Sequence, residues 1–364
     1  MNIATHPWFL AFAGLGAGIV LGFVARANHF CTMSALERMW YAHDSRGVRT
    51  WMLAAATAII ATQSLQALGV VDTASSFYIH SSFAWIGAIA GGVAFGLGMA
   101  LVGTCSFGAL VRLGGGSLRS LIVLIVLGLA AMSAQKGLIA QARVALSDNH
   151  AIDLSEMGGQ SIGALVSWWA GSDLTLAVAL VAGLGLLVWI FRDRAYRGNA
   201  GSVLTGVAIG LIITFGWWAT SYATEHSFEV VQIEAGSFVV PVADTMLQAI
   251  TFTGVVPDYG VGLVLGVIAG AAICAAWKRD VRWEACDDAR ELGRHLAGGA
   301  LMGIGGVFAM GCTIGQGITG ISALAISAPL VLVSIFLGAK LGLAYLIEGS
   351  ALGAFRALDR QPAE

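Results

Sequence analysis

The sequence has little charge. Only 11% of its 364 residues are Asp, Glu, Lys or Arg, whereas soluble globular domains carry about 25%. Hydrophobic residues make up 57% of the chain. This composition excludes an ordinary soluble domain and predicts an all-α polytopic membrane protein, because a bilayer core takes about 20 apolar residues per crossing helix. The formal net charge of −2 argues against a nucleic-acid partner and leaves membrane lipid as the surroundings.

Other features are missing as well. There are only five cysteines and no C-x-x-C pair, so a thiol–disulfide enzyme would have to bring distant cysteines together by folding. No Walker-type sequence is present, which excludes a built-in ATPase, and no carboxylate lies deep in a predicted span. We expect no cofactor, no metal site and no enzymatic activity. The N-terminus lacks a basic stretch and a cleavage site, so no removable signal peptide is expected.

What the sequence has is apolar runs, and these predict about nine transmembrane helices with short re-entrant or amphipathic helices between them. The predicted spans are about 8–27, 51–70, 84–103, 119–140, 173–191, 203–222, 260–277, 296–311 and 328–347. The charged loop from Trp277 to His295 is expected to be a cytosolic helical linker. Trp217 and Trp218 are expected to lie in an interfacial belt.

Charge in the loops predicts the topology. The loops after spans one, three, five, seven and nine, together with Arg26 and Arg119 at the adjoining span ends, hold 16 of the 19 lysines and arginines. Because positively charged loops stay cytoplasmic, the N-terminus is predicted outside and the C-terminus inside. We expect one membrane domain over 1–364, with halves at about 8–191 and 203–347.

An internal repeat relates these halves. When Gly91–Gly108 is laid over Gly298–Gly315 without gaps, five glycines coincide and Cys105 falls on Cys312. The matched segments are five predicted spans apart, and an odd number reverses the orientation in the membrane. Inverted repeats with broken helices are a transporter architecture. The alternative is that glycine-rich helices resemble one another through composition alone.

The two repeats each break an apolar run with one cysteine between glycines. Non-helical backbone at membrane depth survives only inside protein or beside a cavity, so these breaks predict a site. Thiols are soft, and buried in apolar surroundings they stay protonated, which suits repeated weak contacts with a sulfur-bearing anion. The alternative for each cysteine is a small buried hydrophobe, which is the interpretation favoured for Cys274 and Cys286. The predicted substrate-binding residues are Cys31, Cys105, Cys312, Thr104, Ser106, Thr313, Gln316 and Lys340.

Three motifs, ARANHFCTMSA, GLGMALVGTCSFGALVRLGGGS and GGVFAMGCTIGQGITGIS, resemble those of the YeeE/YedE sulfur-transport family over essentially the whole chain. The resemblance implies an hourglass fold and an importer of thiosulfate in the bacterial inner membrane. It also implies that the substrate passes by S–H···S contacts along Cys31, Cys105 and Cys312. A separate cytosolic sulfur-carrier protein of the TusA type is an implied partner.

Two other functions stay open from the residues. A membrane thiol–disulfide oxidoreductase would need the distant cysteines to pair. A permease for a soft metal or a selenium compound would also use thiols, since thiolate and thioether groups suit Cu(I).

Overall fold

The computed structural model describes residue 6 and residues 8–155, 159–227, 231–253 and 256–348, and this part of the chain is almost entirely helical. Its α-helices are α1 (Phe9–Ala27), α2 (Thr32–Tyr41), α3 (Arg46–Ala67), α4 (Trp85–Val102), α5 (Ser106–Gly114), α6 (Leu118–Lys136), α7 (Leu138–Leu146), α8 (Ile162–Ala170), α9 (Thr175–Phe191), α10 (Arg194–Arg197), α11 (Ala200–His226), α12 (Val240–Ile250), α13 (Tyr259–Trp277), α14 (Ala289–Phe308) and α15 (Ser327–Glu348). A π-helix covers Gly315–Gly320. Two short strands, β1 (Ser82–Phe83) and β2 (Ile152–Asp153), pair antiparallel with Ser82 opposite Asp153.

Six helical segments of the described chain are long and apolar enough to cross a membrane. They are Phe9–Tyr41, Trp85–Gly114, Leu118–Lys136, Ala200–His226, Tyr259–Trp277 and Ser327–Ile347. The protein is therefore a multi-pass membrane protein, as the composition predicts. Helices also lie at the other three predicted spans, where α9 is shorter and α3 and α14 carry charge. The count of nine stays a prediction, and the C-terminus lies outside the described residues.

Glycine faces hold the longest helices together. A Cβ atom built on Gly266 of α13 would lie 2.8 Å from the Gly18 Cα of α1, and it would also contact the Leu15 carbonyl. The pair α4 and α15 meets in the same way, at Gly96 and Gly338. Small residues allow such close approach of backbones, which is the usual basis of helix packing in membranes.

The repeated glycines contact each other across α4 and α14. A Cβ on Gly91 would lie 2.6 Å from the Gly305 carbonyl oxygen, and a Cβ on Gly298 would lie 2.8 Å from the Gly98 carbonyl oxygen. The sequence match equates Gly91 with Gly298 and Gly98 with Gly305. The two contacts are therefore one contact seen from either repeat.

Other helix pairs show the same reciprocal packing. Helix α1 packs on α13 while α11 packs on α3, and α4 packs on α15 while α14 packs on α6. In each of these four pairs, one helix comes from residues 8–191 and the other from residues 200–348.

Two sequence-based expectations are wrong. The charged segment after α13 is not a helix: residues 278–288 have no regular helical structure, and α14 begins at Ala289. Its backbone bonds elsewhere, as when Arg282 N donates to Gly115 O at 3.0 Å. Trp217 is not interfacial either. It is fully buried, and its indole nitrogen donates to Ser322 Oγ at 2.9 Å.

Candidate functional site: two cavities and the buried residues between them

A cavity of about 530 Å³ opens at the ends of α1 and α13. We call it the basic cavity because its charged residues are Arg26, Arg112, Arg119, Lys278, Arg282, Asp280 and Glu284. It is also lined by Cys31, Thr104 and Gly108. Five cations against two carboxylates make it a place where an anion is held favourably.

The cations of the basic cavity are fixed by backbone and carboxylate partners. Arg26 Nη2 donates to Asp280 O at 2.8 Å, and Lys278 Nζ donates to Ala27 O at 2.7 Å. Arg119 bridges Glu284 at 2.6 Å and Glu291 at 2.8 Å. These bonds tie the non-helical segment after α13 to the ends of α1 and α6. The cavity wall is therefore built by residues far apart in the sequence.

A second cavity, also of about 530 Å³, has the opposite charge balance. We call it the acidic cavity because its charged residues are Glu234, Asp244, Asp258, Lys136 and Arg143. Burial, and secondarily the Asp258 charge, raises the pKa of Asp244 to about 6, while Lys136 opposes this shift. Burial, again the largest cause, also raises the pKa of Glu234. The acidic cavity therefore carries less negative charge than its three carboxylates would have if all were ionised.

The two cavities lie at opposite ends of the helix bundle. Helix α6 begins at the basic cavity, near Arg119, and ends at the acidic cavity with Lys136. Helix α13 runs the other way, from Asp258 at the acidic cavity to Lys278 at the basic one. A solute that left one cavity for the other would cross the length of these helices.

Between the cavities lie most of the residues that the sequence singled out. Cys105, Ser106, Cys312 and Thr313 are fully buried, and Gln316 is 1% exposed. Thr104, also buried, reaches the basic cavity beside the half-buried Cys31. On the other side, Met310 and Gly311 line the acidic cavity directly before Cys312 in the chain. The cysteines thus follow one another, with Cys31 at the basic cavity and Cys312 next to the acidic one.

Cys105 and Cys312 occupy equivalent positions at helix starts. Gly108 N donates to Cys105 Sγ at 3.4 Å, and Gly315 N donates to Cys312 Sγ at 3.3 Å. In each case the sulfur accepts from the amide three residues on, as a helix N-cap side chain does. Helix α4 can end just before Cys105 because Gly103 takes a positive φ of 75°. The glycines around each cysteine therefore produce the break that exposes a thiol to the interior.

Several buried polar atoms around these thiols have no hydrogen-bond partner among the described residues. The hydroxyls of Ser106, Thr313 and Tyr78 and the Oε1 atom of Gln316 belong to this group. An unpaired buried polar group costs about 1–3 kcal/mol. Thr313 lies beside Cys105, which in turn neighbours Cys31 and Cys312. The arrangement can hold a small solute that offers both sulfur and acceptor oxygens.

Lys340 stands apart from this group. It is half-buried on α15, and it lines neither the basic nor the acidic cavity. Sequence reasoning, in turn, missed Tyr78 and Ser237. Tyr78 lies in the 3-10 turn Phe77–Ile79 outside the repeat, and Ser237 in a non-helical segment, so no motif marked them.

Comparisons with known proteins identify the family of this chain. The sequence model of the family described as "Sulphur transport" matches residues 27–341, which include the three predicted site cysteines. The chain belongs to the sulphur transport family. Membership of this family confirms the resemblance seen in the motifs. It also identifies the protein as a transporter, in agreement with the prediction that it is not an enzyme.

Two relatives of this sulphur transport protein are both named thiosulfate transporter TsuA. The one from Escherichia coli (strain K12) is 28% identical over 324 residues, covering 85% of this chain and 87% of the relative. The one from Spirochaeta thermophila is 24% identical over 343 residues, covering 90% of this chain and 97% of the relative. The similarity extends over nearly the full length in both cases.

Proposed function

We propose that this protein imports thiosulfate across the bacterial inner membrane. The observation that carries the proposal is the pair of cavities at opposite ends of the bundle, separated by a buried stretch that holds Cys105 and Cys312. Thiosulfate is also the substrate in the names of both relatives. The terminal sulfur of this anion can contact the thiols, and its oxygens can accept hydrogen bonds from the hydroxyls beside them.

The orientation follows from charge. The basic cavity is formed by loops that hold most of the lysines and arginines, and such loops stay in the cytoplasm. We therefore assign the basic cavity to the cytoplasm and the acidic cavity to the outside, with the N-terminus outside and the C-terminus inside. The two halves, about 8–191 and 203–347, are inverted repeats, which the reciprocal contacts Gly91–Gly305 and Gly98–Gly298 support.

The substrate passes along the thiols in the order Cys312, Cys105 and Cys31. A protonated thiol is a weak, uncharged donor, so each contact holds the anion without trapping it. Thr104, Ser106, Thr313 and Gln316 supply hydrogen bonds from the sides. The cations of the basic cavity then receive the anion on the cytoplasmic side.

A separate sulfur-carrier protein of the TusA type is the proposed acceptor at the basic cavity. This assignment is supported by the open, cationic basic cavity, which can bind an anion before it is transferred. Mixing the purified transporter with such a carrier and following complex formation by size-exclusion chromatography tests the assignment.

Growth on thiosulfate as sole sulfur source tests the main proposal. A strain without its own thiosulfate and sulfate uptake should grow when it carries this protein and should fail with Cys105→Ala. The matched control is Cys274→Ala, which removes an equally buried cysteine of α13 that lines neither cavity. Membrane abundance of each variant is measured by immunoblot.

Wild-type growth with Cys105→Ala would end the proposal. Competition of labelled thiosulfate uptake by copper or by selenite would favour the soft-metal or selenium permease. A disulfide between two of the three site cysteines, found by mass spectrometry during turnover, would favour thiol–disulfide exchange.

A further inference from the structure

Tyr78 and Ser237 form a pair of hydroxyls at the start of the π-helix. A Cβ atom built on Gly315 would lie 3.1 Å from the Tyr78 hydroxyl oxygen and 3.0 Å from Ser237 Oγ. Gly315 is also the residue whose amide N–H donates to Cys312 Sγ. The two hydroxyls therefore converge on the helix start that carries the first thiol of the proposed path.

The other repeat has a thiol at the corresponding place. A Cβ atom built on Gly108, the repeat counterpart of Gly315, would meet Thr104 Oγ1 and would lie 3.6 Å from Cys31 Sγ. The position beside the helix start is thus filled by one hydroxyl and one thiol on the basic side and by two hydroxyls on the acidic side. The repeat is chemically asymmetric where a substrate would enter and leave.

The Tyr78 hydroxyl is buried beside the Ser237 hydroxyl. Tyr78 is 2% exposed, and apart from Ser237 its oxygen has no hydrogen-bond partner among the described residues. Ser237, 7% exposed, lines the acidic cavity and makes this place reachable from that side. A buried hydroxyl without a partner is destabilising unless something else accepts its hydrogen bond.

Both hydroxyls are held in place by their surroundings. The Tyr78 ring packs at a tilt against Phe77, with ring centroids 4.0 Å apart, and meets Trp217 edge-on at 6.2 Å. The segment that carries Ser237 is fixed to the π-helix, since Gly236 N donates to Thr319 Oγ1 at 3.2 Å and Thr319 Oγ1 donates to Gly236 O at 2.8 Å. Rigid donors discriminate between ligands better than mobile ones.

We infer that Tyr78 and Ser237 form an oxyanion subsite that binds the sulfonate-like oxygens of the substrate as it approaches Cys312. The inference rests on the proposed function and specifies its selectivity. Hydroxyl groups donate to the oxygens of such an anion. The thiol of Cys312 then meets the sulfur end. A site of this kind rejects analogues that lack the acceptor oxygens.

Sulfite tests binding of the oxygen end of the substrate alone, because it has the oxygens and lacks the terminal sulfur of thiosulfate. In proteoliposomes, Tyr78→Phe should raise the KM for labelled thiosulfate and the inhibition constant of sulfite together, each about tenfold. Ser237→Ala should act in the same direction. Cys312→Ala should impair thiosulfate uptake and leave sulfite binding within about twofold. The control is Tyr196→Phe, which removes a buried hydroxyl that donates to Thr50 Oγ1 at 3.3 Å.

Unchanged sulfite inhibition in both Tyr78→Phe and Ser237→Ala would overturn the subsite, even if maximal uptake falls. If Tyr78→Phe does not fold, Ser237→Ala alone decides. Wild-type protein that takes up no thiosulfate would refute the proposed function and not the subsite. In that case calorimetric binding of sulfite to the wild type and to Ser237→Ala, both in detergent, still tests the subsite.

Discussion

Cys31 and Thr104 contact each other at the inner end of the basic cavity, with Cys31 Sγ 3.8 Å from Thr104 Oγ1. The contact joins the break after α1 to the break after α4, so it links two elements that the sequence places 73 residues apart. It also places a hydroxyl beside the last thiol that the substrate is proposed to meet.

Thr104→Val tests this contact while keeping the shape of the side chain. Because the hydroxyl would no longer assist Cys31, thiosulfate uptake should fall about three- to tenfold, which corresponds to one weak hydrogen bond. Initial rates in proteoliposomes measure the effect. The control is Thr62→Val, since Thr62 pairs with Thr214 at 3.3 Å in the core and lines neither cavity. Equal losses in the two variants would contradict the role of Thr104.

Gly108→Ala tests the space between Thr104 and Cys31. The added Cβ would contact Thr104 Oγ1 and lie 3.6 Å from Cys31 Sγ. Thr104 can rotate away, so we expect a folded protein whose uptake is reduced at least about tenfold because the contact is lost. Gly185→Ala is the control, as no described atom lies within 4 Å of its added Cβ. Normal uptake by Gly108→Ala would show that this space is not used.

The pH dependence of uptake tests the acidic cavity. Asp244 lies on α12, which at 11 residues is too short to cross the membrane. Its pKa is raised to about 6, so lowering the outer pH from 7 to 5 neutralises it and removes negative charge that faces Asp258, Glu234, Lys136 and Arg143. Thiosulfate uptake should therefore rise as the outer pH falls.

Asp244→Asn should remove most of this rise and give, at pH 7, the rate that the wild type reaches at pH 5. Glu234, whose pKa is also raised by burial, accounts for any remaining slope. Asp173→Asn is the control, because this exposed residue caps α9 away from both cavities. A steep pH profile that persists unchanged in Asp244→Asn would contradict the prediction.

Gly266→Ala tests the close packing of α1 on α13. The new methyl group would meet the Leu15 carbonyl and the Gly18 Cα, and overpacking of this kind costs about 1–3 kcal/mol. The thermal unfolding temperature in detergent should fall clearly. Gly16→Ala, on α1, is the control, since no described atom lies within 4 Å of the added Cβ. There the unfolding temperature should stay the same or rise slightly, because alanine favours helix more than glycine. A fall of equal size in both variants would contradict the packing argument.

The sequence by itself determined the membrane class, the positions of the long helices and the cysteine breaks. These features are local: apolar length defines a crossing helix, and a glycine with positive φ ends one, as Gly103 does. The repeat was visible because Cys105 and Cys312 must each break a helix in the same way.

Only the tertiary structure decided which side chains face the thiols. Tyr78 and Ser237 come from non-repeated segments, and their approach to Gly315 depends on how those segments fold back on the π-helix. Lys340 is predicted to bind substrate because a charge in an apolar run is costly, but it lines neither cavity. The interfacial position predicted for Trp217 is wrong because its side chain is buried and donates to Ser322 Oγ. Contacts between distant segments decide burial and direction, and no local pattern in the chain records them.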